Sequence, residues 1–214
     1  MKSFKQFILE TPTFDAHKFS LDCKFILDEL RKDKFRHIIW RGESNNVMPS
    51  DFTIRTWSER RFTRDTKKEI HDALNEYFMK RFGDPIRNWL FCTGDIVDAR
   101  YYSANQDVAA VFPIGKFEWY CSEDIHDMLG LIIKSITVAR DMQKSDNDIK
   151  IIPYAIDLII NQLEKTKFWK NTNLIDCLKS DNEMMIKCDR YYLFNRDGES
   201  FNSPEMDKMF RTVT

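Results

Sequence analysis

The sequence predicts an α+β fold built around antiparallel strands. Three observations carry that expectation. Helical stripes and short strand-like runs follow one another irregularly, without the strict β-α alternation that a parallel sheet would need. Glycine and proline, six of each, never gather into a linker, so the 214 residues read as one folded unit. Hydrophobic residues make up 43% and charged residues 31%, a globular balance that excludes a disordered chain.

Several function classes drop out early. A net charge of −1 gives no basic field for nucleic acid. Nothing approaches the roughly 18 continuous apolar residues of a membrane span. The glycines make no Walker or Rossmann pattern, and no H-x-x-x-H or Cys/His spacing offers a metal site. Cys23, Cys92, Cys121, Cys177 and Cys188 are odd in number and scattered, which reads as reduced thiols in a cytosol-like compartment.

Along the chain, Met1 to Glu10 is a short amphipathic segment with Phe4, Phe7 and Ile8 on one face. Ser20 is placed to cap a helix to about Lys32 that buries Cys23, Ile26, Leu27 and Leu30. Phe35 to Arg41 and Phe52 to Trp57 read as strands. Arg55, Arg60, Arg61 and Arg64 crowd this region, either as a solvated basic face or as partners for a pyrophosphate or an acidic partner. Thr66-Lys67-Lys68-Glu69 has the form of a capping box, ahead of a stripe of Ile70, Ala73, Leu74, Tyr77 and Phe78 that Gly83 and Pro85 end. His71 beside that stripe reads as a helix-surface or packing residue.

Asn88 to Ser103 is the stretch with the most chemistry. Trp89 to Cys92 is an apolar strand that stops at Thr93-Gly94-Asp95, whose aspartate is a good N-cap. A short helix with Ile96, Ala99 and Tyr102 on its buried face should follow. A strand ending in a hydroxyl and a glycine before a helix N-terminus can hold a small polar ligand. His37 to Gly42 makes a second such stop, and the two together suggest a nucleotide cleft.

Val108 to Ile114 and Phe117 to Tyr120 read as a hairpin. Ser122-Glu123-Asp124 starts a helix running on to Met142, and Pro153 sits at the first position of another, with Ile156, Ile159, Ile160 and Leu163 inward. Met184 to Cys188 and Tyr191 to Phe194 read as strands, and the chain from Asn195 as a polar, loosely ordered tail.

Arg41 in I-I-W-R-G, Thr93 in L-F-C-T-G-D and Glu183 in D-N-E-M-M-I stand in that order at strand edges. The series resembles the arginine, S-T-S and E-x-E motifs of ADP-ribosyltransferases of the R-S-E class. That resemblance implies split antiparallel sheets with flanking helices and NAD as substrate. It implies Arg41 as the clamp on the NAD phosphates, with Gly42 letting backbone approach the ligand. Thr93 takes the hydroxyl role, Tyr101 or Tyr102 stacks on nicotinamide or joins the core, and Glu183 is the catalytic acid.

The middle motif keeps only its threonine. Aligned on N-E-M, Glu183 is the first glutamate and Met185 replaces the catalytic second, which implies an altered or dead enzyme. Aligned on D-x-E, Asp181 takes the first place and Glu183 the second, which implies a live one. The run N-E-M-M-I is also similar to that of the phage-packaged Alt-type transferases.

M-K-S-F-K-Q-F-I-L-E is similar to the capsid-targeting peptides of internal head proteins in large tailed phages, which the prohead protease trims after an apolar-x-Glu triplet such as Ile8-Leu9-Glu10. Residues 1–12 are thus expected as a targeting peptide, 13–195 as one transferase-like domain and 196–214 as a tail. The resemblance implies a phage enzyme that ADP-ribosylates a host macromolecule, protein or nucleic acid, from the virion head or in the host cytoplasm. Two further readings stay open: an inactive protein of the same fold that binds a host partner, for example to block a defence factor, and a structural head protein.

Overall fold

The computed structural model describes residues 13–43, 49–57, 66–103, 107–144 and 146–211. The chain begins with α1 (Ala16–Asp22), α2 (Lys24–Arg31), β1 (Trp40–Gly42) and β2 (Phe52–Thr56). α3 (Lys68–Phe82), a 3-10 turn (Ile86–Asn88), β3 (Leu90–Cys92) and α4 (Ile96–Tyr101) follow. Next come β4 (Val108–Pro113), β5 (Glu118–Ser122), α5 (Met128–Gln143) and α6 (Asp148–Lys165). β6 (Phe168–Lys170), α7 (Leu174–Lys179), β7 (Met184–Lys187), β8 (Arg190–Asn195) and α8 (Pro204–Arg211) complete the described fold. It is α+β, with two separate four-stranded antiparallel sheets.

The first sheet runs β1-β4-β8-β2. V-A-A-V-F-P has no polar side chain to offer water, so β4 sits inside the sheet, buried along its whole length. β8 lies between β4 and β2 and brings Tyr192 and Phe194 onto the face that α1 covers. Phe19 meets Phe112, Tyr192 and Phe194 there at centroid distances of 5.1–5.4 Å, nearly edge to face. Edge contacts set the positive ring rim against the negative ring face, which favours this geometry over plain stacking.

The second sheet runs β3-β7-β5-β6 and is covered on both faces. Met184 and Ile186 point into the core shared with the first sheet, whereas Met185 joins Ile70, Leu74, Phe78, Ile132, Ile159 and Leu163 beneath α3, α5 and α6. Two inner faces explain why M-M-I is apolar without alternation.

Several expectations need correction. The first helix is two: Asp15, not Ser20, caps α1 through the Lys18 N–H, and the chain breaks at Cys23 although Cys23, Ile26, Leu27 and Leu30 are buried as the stripe required. The strand expected from Phe35 shrinks to Trp40–Gly42, because Lys34 and Phe35 turn the chain at φ 54°. The N-cap of α3 is Lys67, without a side-chain cap, although Gly83 closes the helix in the left-handed conformation as expected. β4 and β5 are not a hairpin but belong to different sheets: Gly115, at φ 72°, donates its N–H to Asp22 and leads the chain away. α5 starts at Met128, since Ser122 Oγ accepts the Asp124 and Ile125 N–H groups and holds that segment as a turn. Pro153 lies inside α6, which Asn147 caps. The tail read as loose contains α8, whose Met206 is fully buried and whose Phe210 stacks near Phe112.

The five cysteines are not all reduced thiols. Cys121 and Cys177, 6.1 Å apart at Cα, are joined as a disulfide between β5 and α7, and Cys23, Cys92 and Cys188 are free and buried. Among the described residues no helix is long and apolar enough to cross a membrane. The segment Met1 to Glu10 and the arginines Arg60, Arg61 and Arg64 lie outside the described residues.

Phe194 touches rings from α1, β2, β4 and the segment before α8. Phe194→Ala is therefore expected to cost about 3–5 kcal/mol in urea unfolding, the range for a buried aromatic truncated to a cavity.

Candidate functional site

The two sheets meet where β1 and β3 run side by side. Trp40 N–H donates to the Thr93 carbonyl at 2.8 Å and Thr93 N–H to the Trp40 carbonyl at 2.9 Å. Arg41 follows directly. Its Nη1 donates to the Phe91 carbonyl at 2.9 Å and its Nε to Glu43 Oε1 at 2.5 Å. The other Glu43 oxygen accepts from Arg55 Nη1 at 3.0 Å. Glu43 is only 5% exposed, and a buried carboxylate needs such partners to remain charged. Burial works against the Arg41 charge, and Glu43, Cys92 and Tyr191 together more than offset it, so the guanidinium pKa is raised.

Gly42 lies under α4. A Cβ there would stand 2.3 Å from the Ala99 carbonyl oxygen and 2.8 Å from the Tyr102 carbonyl carbon. The close approach that needs a glycine at this position is to that helix.

Thr93 closes β3. Its hydroxyl accepts from Asp95 N–H at 3.1 Å and reaches the Asp181 carbonyl at 3.5 Å. Gly94 abuts the end of α7, where a Cβ would come 1.8 Å from the Leu178 carbonyl oxygen. Asp95 caps α4 as expected. The expected inward face of α4 holds only at Ala99: Tyr102 is 40% exposed, and Tyr101, at 82%, is no core residue.

Ser180 to Asn182 forms the turn into β7. Asp181 takes φ 56° and is exposed, while the Asn182 amide donates to the Ser122 and Glu123 carbonyls at 2.8 and 3.2 Å. These bonds fix the approach of Glu183, whose own N–H donates to the His126 carbonyl at 2.8 Å. β3 and β7 pair Cys92 with Met184, so one further step sets Thr93 opposite Glu183. Glu183 shares its face with Met185, on the side where α5 begins. Glu183 Oε2 accepts the Met128 N–H at 2.7 Å, and Oε1 lies 3.8 Å from Arg87 Nη1.

Carboxylates dominate this end of the seam. Asp127 caps α5 through the Leu129 and Gly130 N–H groups, both at 2.8 Å, and accepts the Tyr102 phenol. Burial, then Asp127, Glu183 and Asp98, push the Tyr102 phenol well above its ordinary range. Burial also raises the Asp98 pKa; Asp95, Asp181 and Asp127 add to this, and His126, 3.3 Å away, opposes it. The seam thus has Arg41 and Arg55 closed on Glu43 in one part, and Asp98, Asp127, Asp181 and Glu183 with Arg87 and His126 beside them in the other. Among the described residues no group of His, Cys, Asp and Glu is arranged to hold a metal ion.

No family model, curated protein or solved structure matches this chain. Of the residues expected from sequence, Arg41, Thr93, Asp181 and Glu183 come to one seam, with Tyr102 joined through Asp127. Glu43, Arg87, Asp98, His126 and Asp127 escaped the sequence reading. Only Asp127 had a local signal, an aspartate just ahead of the apolar run M-L-G-L-I-I.

Gly94→Ala is expected to cost about 1–3 kcal/mol, because backbone rather than a movable side chain fills the space; urea unfolding measures it. Asp98, with its folded-state pKa raised, costs stability as pH climbs from the ordinary aspartate value through the folded one. Asp98→Asn should therefore raise the melting temperature at pH 7, and the gain should vanish below about pH 4.

Proposed function

We propose that this chain is an NAD-dependent mono-ADP-ribosyltransferase of the R-S-E class, with an ADP-ribosyltransferase-like fold, that modifies a host macromolecule. The observation that carries the reading is the seam itself. Arg41 on the first strand, Thr93 at the end of β3 and Glu183 at the entry to β7 lie on neighbouring strands, in the order the motif series requires.

The charge pattern supports the same ligand. NAD has an anionic pyrophosphate and a cationic nicotinamide; the seam has two arginines, which share Glu43, and four acids, of which Glu183 stands beside Arg87. Arg41, with Arg55, would hold the phosphates. At the other end the N-glycosidic bond breaks, its electron pair leaves with nicotinamide, and the ribose carbon becomes cationic. The Glu183 carboxylate stabilises that cation and hydrogen-bonds the ribose hydroxyl. A nucleophile on the target then donates its lone pair to the same carbon and loses a proton. Asp181 fills the first acidic place of a D-x-E pair, and Tyr102 offers an aromatic face to the nicotinamide.

One observation favours an inactive protein of the same fold that binds a host partner. Glu43 already holds Arg41, and the Met128 N–H already holds Glu183, whose side chain is 10% exposed. The similarity of Met1 to Glu10 to capsid-targeting peptides supports packaging in a phage head, with the prohead protease as a partner, and action in the host cytoplasm.

The test is transfer of labelled ADP-ribose from NAD onto host lysate. Glu183→Gln should lower it at least about 10²-fold without unfolding the protein, and Arg41→Ala should abolish thermal stabilisation by NAD. Undiminished labelling with Glu183→Gln overturns the catalytic assignment. NAD stabilisation without transfer selects the inactive reading.

A further inference from the structure

Arg87 has no place in the motif series, yet it is one of the few charged side chains the fold buries. It is 8% exposed at its side chain, and its Nε and Nη1 have no hydrogen-bond partner. Orphaned donors in the interior are costly, and arginine cannot shed its proton to escape the cost. Its backbone is firmly held: Arg87 N–H donates to Asn75 Oδ1 at 3.0 Å, and Asn88 Oδ1 accepts from Asn75 at 3.0 Å, tying the 3-10 turn to α3. The guanidinium carbon stands 4.4 Å from the centre of the Phe91 ring, and Nη1 stands 3.8 Å from Glu183 Oε1.

A buried cation kept at ion-pair range rather than in a hydrogen bond acts by its field. We infer that Arg87 is a positioning residue for Glu183. Phe91 fixes the plane of the guanidinium, whose charge keeps the carboxylate ionised and turned toward the end of β3, while the Met128 N–H holds the second oxygen. Asp127, Asp98 and Asp181, with His126 and the Tyr102 phenol, face the same region, and the arginine is a cationic counterweight to Glu183 from the β3 side. The catalytic consequence rests on the transferase reading, but the electrostatic role does not.

The experiment is carbon-13 NMR of glutamate-labelled protein, with the Glu183 carboxyl resonance identified by its loss in Glu183→Gln. In Arg87→Met that resonance should titrate about 1–3 pH units higher than in the wild type, the usual effect of removing an adjacent arginine. Arg87→Lys, which keeps the charge, should return most of the difference. If Arg87→Met does not fold, the same rise is expected in Arg87→Gln. An unchanged midpoint in a folded, charge-free variant overturns the assignment. The acid limb of ADP-ribose transfer should move in the same direction as the resonance. A shifted resonance in a protein that transfers nothing leaves Arg87 in its role and removes the transferase reading.

Discussion

Two reciprocal backbone hydrogen bonds between Trp40 and Thr93, with a third from Arg41 Nη1 to the Phe91 carbonyl, join the two sheets. β1 and β3 are three residues each, too short to be stable as an isolated pair. Their neighbours supply the stability: β4 buries one flank and β7 the other. Glycine follows each joined segment because other backbones press in, α4 on Gly42 and the end of α7 on Gly94. The placing of Arg41, Thr93 and Glu183 is thus a by-product of how tightly two sheet ends can be brought together.

Three acids of the seam are met by partners fixed in advance: Glu43 by two arginines, Glu183 by a helix N–H with Arg87 at ion-pair range, and Asp127 by the first turn it caps; Asp98 has His126 against three further acids. Removing one partner would leave the other buried and uncompensated, which is costlier than never having built the pair.

What the sequence made legible was local. The stripe of α3 and its Gly83 stop, the strand Phe52–Thr56 and the cap at Asp95 depend on neighbours within a few positions, and they are found as expected. Strand partnership was not legible. V-F-P-I-G before F-E-W-Y gives the same local signal for a hairpin as for a crossing between sheets, and only the long-range bond from Gly115 to Asp22 decides. Phe35 to Ile39 has β-forming side chains, yet packing against α2 and α8 overrides propensity there. Arg41, Thr93 and Glu183 could be put forward as candidates from their order along the chain. Glu43 and Arg87 could not, since a buried charge looks like any surface charge until its partner, brought from another element, is seen.

The late position of β7 and β8 has a consequence for biosynthesis. β7 lies between β3 and β5, and β8 between β4 and β2, so both sheets keep their middle seats open until the segment 184–195 leaves the ribosome. Until then β4, β5 and β3 present unpaired edges to whatever surrounds the nascent polypeptide. Closure of both sheets must therefore wait for that segment, in one late event, and a chaperone that shields those edges during elongation would protect yield more than any change to the finished surface.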